Sequence, residues 1–166
     1  METKESSQTP IWAALTRITL GLIYLWAFVD KVFGLGFATA AEKSWLNGTS
    51  PTEGFLNFGT TGPFSGIFQA MAGNLLVDWL FMLGLLLIGL ALILGVGMRI
   101  ASYSGALLML FMWLAVLPPE HHPFLDEHIV YLFALLWLGS ANAGDYFGLG
   151  KMWKKTGLVK KMKWLA

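Results

Sequence analysis

The sequence of 166 residues contains no cysteine. This absence excludes disulfide bonds, thiolate metal ligands, thiol nucleophiles and cysteine-ligated iron–sulfur clusters on this chain. Any redox role must therefore use a bound cofactor, a quinone or a partner subunit.

Charged residues are also scarce, at 13% of the chain against 56% hydrophobic residues. A soluble domain carries about 25% charged residues, and half that share cannot coat a globule of this size with polar surface. The length suits one domain. We therefore expect a single integral membrane domain over residues 1–166, with the lipid bilayer as its main partner. The basic residues gather at one terminus, a pattern with a simpler membrane explanation than nucleic-acid binding, so we expect no nucleic-acid partner.

Four apolar segments approach the length of about 20 residues that a membrane-spanning helix needs. They cover residues 11–33, 75–98, 100–117 and 125–143. The predicted fold is therefore all-α, a four-helix transmembrane bundle. The connection formed by residues 34–74 is too long for a simple loop, and its helix signals predict short interfacial helices. The first segment ends at Asp30 and Lys31 without a cleavage pattern, which indicates an uncleaved span rather than a secretory signal.

The basic residues predict the orientation of the bundle. Arg99 lies between the second and third spans, and six lysines follow the fourth: Lys151, Lys154, Lys155, Lys160, Lys161 and Lys163. The two other connections hold only Lys31 and Lys43. We expect the protein to lie in the cytoplasmic membrane of the cell. Because basic residues remain on the cytoplasmic side, both termini and the Arg99 turn should face the cytoplasm. The basic tail, residues 151–166, is most simply a topology anchor on the anionic inner leaflet.

Arg17 is a charged residue inside an apolar span, about 10 Å from its start at 1.5 Å per residue. Ionisable residues within membrane spans are functional candidates by default. Arg17 could bind an anion or a quinone headgroup. Alternatively, it could extend to the inner interface or make a structural pairing. The sequence alone is compatible with both interpretations.

The predicted topology brings the other polar residues to the outer end of the bundle. They come from the end of the first span and the starts of the second and fourth: Asp30, Lys31, Asp78, Asp126, Glu127 and His128. Ordinary interface polarity, with acids favoured at helix N-termini, is the alternative to a working site. An unpaired ammonium beside apolar surface is costly. We therefore expect Lys31 to lie close to an acid of the second or fourth span, with His128 in the same pocket.

The histidines near the fourth span raise the question of a metal. His121, His122, His128 and Asp126 are ligand types that zinc, copper or non-haem iron accept. They show no recognised ligand spacing, so we expect no metal site. A protonatable histidine beside carboxylates suits proton transfer during quinone chemistry better.

Three short stretches resemble the DoxX/DoxD family. Residues 17–31, which run from an arginine through a glycine and an apolar segment to a lysine, resemble its opening pattern. Residues 123–128 resemble the entry to its fourth span, and Ala143-Gly144 with Gly148-Leu149-Gly150 resembles its close. The resemblance implies a four-helix membrane protein. Some family members belong to a thiosulfate:quinone oxidoreductase and others are membrane partners of redox enzymes.

The family pattern maps onto five residues of this chain: Arg17, Asp30, Lys31, Asp126 and His128. We therefore predict a DoxX-like membrane subunit of a quinone-linked oxidoreductase that binds quinone and docks a catalytic partner subunit or a second copy. Lys31, Asp126 and His128 are the predicted catalytic residues. Arg17, Asp30 and Asp78 are the predicted cofactor-binding residues. The alternative is a non-catalytic membrane scaffold or assembly factor of a redox complex.

One feature opposes a simple transfer of the thiosulfate activity. The outer side of the predicted topology carries seven acids, namely Asp30, Glu42, Glu53, Asp78, Glu120, Asp126 and Glu127, against Lys31 and Lys43. A dianion such as thiosulfate would be repelled there. A partner subunit would have to supply positive charge.

Overall fold

A computed structural model describes residues 9–165. Throughout that range the regular secondary structure is helical and no strand occurs. The seven α-helices are α1 (Thr9–Phe33), α2 (Ser65–Gln69), α3 (Leu75–Leu94), α4 (Met98–Ala115), α5 (Glu127–Ser140), α6 (Gly150–Lys154) and α7 (Gly157–Lys161). Three of them, α1, α3 and α4, are long and apolar enough to cross a membrane. The all-α membrane class predicted from composition is thus confirmed.

The outward surface of these three helices is apolar. Only 33% of each candidate span is buried within the chain. Large side chains such as Leu22, Leu80 and Leu87 are 55%, 65% and 60% exposed. Apolar surface gains about 25 cal/mol per Å² when it leaves water. These faces therefore require a lipid environment.

Glycines set the boundary between α3 and α4 at a different place from the predicted one. Gly95 takes the left-handed conformation (φ 72°) and its N–H donates to Ala91 O at 2.8 Å, which ends α3 at Leu94. The predicted span 75–98 was therefore too long at its C-terminal end. Gly97 (φ 58°) then precedes α4, so Arg99 lies in the first turn of that helix rather than in a connection. The predicted span 100–117 becomes Met98–Ala115.

The fourth apolar segment forms a shorter helix than predicted. α5 has 14 residues, or about 21 Å at 1.5 Å per residue, whereas the hydrocarbon core is about 30 Å thick. Asp126 caps its start, and left-handed Asn142 (φ 50°) follows its end, before the 3₁₀ turn Ala143–Asp145. The predicted bounds 125–143 were therefore too wide for the helix itself.

Small residues allow neighbouring helices to approach closely. α1 packs on α3, α3 on α4, and α4 on α5. A Cβ on Gly89 of α3 would lie 2.9 Å from the backbone nitrogen of Leu25 in α1. A Cβ on Gly139 of α5 would lie 2.9 Å from the Cβ of Ser102 in α4. Such contacts between small residues are typical of helix packing in membranes.

Two opposite ends of the bundle are distinguished by their connections. At one end, here the loop end, residues 34–74 meet the C-terminus of α4, since the Thr61 N–H donates to Ala115 O at 2.9 Å. At the other, the tail end, the turn between α3 and α4 meets residues 141–165, and a Cβ on Gly95 would lie 2.9 Å from Gly144 Cα. α5 begins at the loop end and finishes at the tail end.

Residues 34–74 contain short helical turns. They are the 3₁₀ turns Ala41–Lys43, Trp45–Asn47 and Gly62–Phe64, the π-helical turn Phe55–Gly59, and α2. Ser50 accepts from the Glu53 N–H at 3.1 Å, as a residue capping a helical turn does. Their placement at a membrane interface stays a prediction.

Candidate functional site

Arg17 lies at the tail end, on the first half of α1, and its side chain is completely buried. Nη1 donates to the carbonyl oxygens of Leu92 and Ile93, the latter at 2.9 Å. Nη2 donates to Tyr146 O at 3.2 Å and Phe147 O at 2.9 Å. The carbonyls of Leu92 and Ile93 belong to the last turn of α3 and have no partner within that helix. The guanidinium therefore caps α3, at the end where the helix dipole favours a cation, and ties residues 146–147 to it.

Glycines make room for this guanidinium. A Cβ on Gly95 would lie 3.1 Å from Arg17 Nη1, and one on Gly148 would lie 3.0 Å from Nη2. The Leu149 N–H donates to Leu94 O at 2.7 Å, which closes the arrangement. Gly148, one of the glycines that carry the resemblance at the end of the sequence, thus lies beside the arginine that carries it at the start.

The contacts of Arg17 are those of a structural pairing, because its guanidinium is buried and donates to backbone carbonyls. Within residues 9–165, Nε is buried without a hydrogen-bond partner. The predicted cofactor-binding role of Arg17 stays a prediction.

Asp30 lies at the loop end of α1 with an exposure of 1%. Its Oδ1 accepts from the Phe37 N–H at 3.3 Å, and its Oδ2 accepts from the Ala38 N–H at 3.0 Å. The carboxylate thus holds the turn that leads out of α1.

Asp78 makes an equivalent connection in the first turn of α3, where its exposure is 4%. Its Oδ1 accepts from Ser50 Oγ at 2.8 Å and from Thr52 Oγ1 at 2.5 Å. Since both hydroxyls belong to the long connection, Asp78 fastens residues 34–74 to the membrane helix. The cofactor-binding roles of Asp30 and Asp78 stay predictions.

Lys31 makes no ion pair. Among the residues that the structure describes, no carboxylate oxygen lies within 4 Å of its Nζ. Nζ lies instead 5.9 Å from the centre of the Phe81 ring, a distance at which a cation is attracted to an aromatic face. Asp30 and Asp78 direct their carboxylates to backbone and hydroxyl donors. That Lys31 lies close to an acid of the second or fourth span, with His128 in the same pocket, stays a prediction.

Asp126 and His128 form a side-chain pair at the start of α5. Asp126 caps this helix, with Oδ1 accepting from the His128 N–H at 3.1 Å. Its Oδ2 lies 2.8 Å from His128 Nδ1, and the two side chains are 10% and 18% exposed. A carboxylate can only accept, so Nδ1 must carry the proton of this bond. In this tautomer Nε2 carries no proton, so Nε2 is the ring nitrogen that can accept a proton from another molecule.

His122, in the connection between α4 and α5, has a different role. His122 Nδ1 accepts from the N–H groups of Phe124 and Leu125, at 3.1 and 2.9 Å. Trp113 Nε1 donates to Phe124 O at 2.8 Å, which attaches this connection to α4. No group of three or more potential metal ligands lies together within the described part of the chain.

A polar cluster at the tail end was missed by sequence reasoning. Lys154 Nζ donates to Asp145 Oδ2 at 2.8 Å and to Asn142 Oδ1 at 2.9 Å. The sequence pattern places Lys154 among the tail lysines that form the predicted topology anchor. The acid nine positions earlier was the signal that could have identified its partner.

No protein-family model, curated protein or solved structure matches the chain. The fold therefore defines the class, an α-helical membrane protein. The resemblance to the DoxX/DoxD family depends on the sequence motifs alone.

Proposed function

We propose that the chain is a DoxX-like membrane subunit of a quinone-linked oxidoreductase. It would anchor a catalytic partner at the cell membrane and contribute one proton-transfer pair, Asp126 and His128. The observation that carries the proposal is the 2.8 Å contact between Asp126 Oδ2 and His128 Nδ1 on partly exposed side chains.

The topology belongs to this proposal. α5 is short, yet it packs along α4. Phe124, just before α5, accepts from Trp113 near the loop end, and Gly139 of α5 packs on Ser102 toward the tail end. This course supports a fourth crossing, with flanking residues completing the span. The positive-inside rule then places the tail end and both termini in the cytoplasm, because Arg99 and the tail lysines lie there.

The pair has the chemistry that quinone reduction needs from a protein. A quinone takes up two electrons and two protons when it becomes a quinol. The electrons would come from the partner subunit, because this chain has no thiol and no thiolate-bound cluster. His128 Nε2 would pass protons one at a time, and Asp126 would hold the ring and stabilise its charged form. Lys31, over the Phe81 ring, would contribute positive charge at the same end.

The proposal is tested on the native complex. The tagged chain is purified from its own membranes in mild detergent, the accompanying chains are identified, and quinone reduction is measured with thiosulfate as donor. Thiosulfate-dependent reduction by a complex containing this chain supports the proposal. A complex that reduces no quinone with any donor of its partner subunit contradicts it.

A non-catalytic scaffold or assembly factor is the second candidate. It is favoured by the internal hydrogen bonds of Arg17, Asp30 and Asp78, three predicted site residues that all stabilise the fold. Under this candidate, deletion of the chain lowers the amount of assembled partner. The activity per assembled partner would then be unchanged. If the chain is instead a quinone-binding subunit, its deletion would lower the activity per assembled partner.

A further inference from the structure

A groove of about 670 Å³ opens at the tail end between α4, the end of α5 and the C-terminal segment. Its polar and aromatic lining includes Arg99, Tyr103, Ser104, Ser140, Asn142 and Trp164. Gly139 forms part of the wall and packs closely against Ser102 of α4. The groove lies about 18 Å along α5 from His128, at 1.5 Å per residue, so it is separate from the proposed proton-transfer pair.

The groove itself is lined by one charged side chain, Arg99, and the nearby Asp145 is paired with Lys154. Arg99 is exposed, and among residues 9–165 it makes no ion pair. The lining contains no acid. The 3₁₀ turn Lys163–Leu165 contacts both α4 and α7, which brings the exposed Lys160 and Lys161 to the same end. An anion would therefore be attracted to this groove, with hydroxyl and amide donors beside the guanidinium.

An exposed apolar stripe leaves the groove along α4. Its members recur at helical spacing and are 39%, 65%, 51% and 48% exposed: Ile100, Tyr103, Leu107 and Phe111. The stripe begins at residues that line the groove and extends into the part of α4 that crosses the membrane. A ligand that fits both features has an anionic head and a long apolar chain.

We propose that this groove binds the headgroup of an anionic phospholipid. The phosphate contacts Arg99, the rest of the headgroup contacts Ser104, Ser140 and Asn142, and an acyl chain follows the stripe on α4. This inference depends on the membrane class of the protein and not on the proposed redox function.

The test uses the purified chain in a neutral detergent. Native mass spectrometry measures the affinity for phosphatidylglycerol, for phosphatidylcholine and for inorganic phosphate. We expect the wild-type chain to bind phosphatidylglycerol about tenfold more tightly than phosphatidylcholine, which corresponds to about 1.4 kcal/mol. Both lipids offer a phosphate, but the choline cation of phosphatidylcholine is repelled by Arg99. Arg99→Ala should abolish this preference, and Arg99→Lys should retain part of it.

Lys151→Ala is the matched control. It removes one positive charge from the same end, but Lys151 lies 5.7 Å over the Tyr146 ring and does not line the groove. Its lipid preference should stay within about twofold of wild type, since only a screened surface charge is lost. Equal affinity of the wild-type chain for the two lipids would overturn the proposal. An equal loss in both variants would also overturn it by indicating diffuse attraction to the tail, and tight binding of inorganic phosphate alone would indicate a phosphate site.

Discussion

Nη1 of Arg17 donates to the carbonyl oxygen of Ile93 at 2.9 Å, and this contact joins the first membrane helix to the last turn of α3. The same guanidinium reaches Phe147 O at 2.9 Å, so one side chain connects three distant parts of the sequence. A charge buried in this way is tolerated because carbonyl groups that lack helical partners surround it.

Substitution of Arg17 by Leu should destabilise the bundle. Each buried carbonyl that loses its donor costs about 1–3 kcal/mol. Of the four contacts that are lost, the one with Leu92 O is buried and the other three are partly buried. We expect the free energy of unfolding to fall by at least about 2 kcal/mol in detergent, and Arg17→Lys to be intermediate because an ammonium lacks the planar fork. Arg99→Leu, a change at an exposed arginine, is the control. Equal stability of Arg17→Leu and wild type would show that the cap is dispensable.

The contact between Thr52 and Asp78 should govern the order of the long connection. Thr52→Val removes the hydroxyl that lies 2.5 Å from Asp78 Oδ1 and keeps the shape of the side chain. Limited proteolysis should then cut residues 34–74 faster. In the double variant of Thr52→Val and Asp78→Ala, the loss in free energy of unfolding should be smaller than the sum of the two single losses by about 1 kcal/mol. Glu53→Ala changes an exposed neighbour and should leave the cutting rate unaltered. Full additivity would mean that the two side chains act independently.

Some of these features could be predicted from the sequence, and others could not. Composition and the apolar segments predicted the membrane helices, because burial in lipid depends on the residues of each segment alone. The end of α3 was placed too late, although Gly95 is a common residue at helix C-termini. The partners of Arg17 are backbone carbonyls, which every residue has, so no sequence pattern identifies them. The contact of Lys31 with the Phe81 ring was missed because an aromatic ring was not weighed against a carboxylate.

The pair at the start of α5 can be tested without loss of the helix cap. Asp126→Asn keeps an efficient N-cap but removes the carboxylate charge beside His128 Nδ1. We expect quinone reduction by the complex to fall about 100-fold or more in His128→Ala and to fall in Asp126→Asn as well, since general acid–base catalysis contributes about 10²–10⁴-fold. His121→Ala, an exposed neighbour, is the control. Unchanged activity in both pair variants would remove the pair from the mechanism.

The topology can be mapped with single cysteines, which the cysteine-free sequence allows. An impermeant thiol reagent applied to intact cells should label Glu53→Cys, an exposed position at the loop end, and should not label Thr156→Cys in the tail. Both sites should react after the cells are opened. Labelling of the tail alone from outside would show that the orientation is the reverse of the proposed one. Labelling of both sites from outside would show that α5 does not form a fourth crossing.

The quinone content of the chain purified from its native membrane distinguishes a quinone-binding subunit from a scaffold. We expect that quinone can be extracted from the wild-type chain at about one molecule per chain. We also expect that His128→Ala, folded and present in the membrane in equal amount, retains much less. Absence of quinone from wild-type protein that is still bound to its partner would contradict quinone binding and would favour the scaffold.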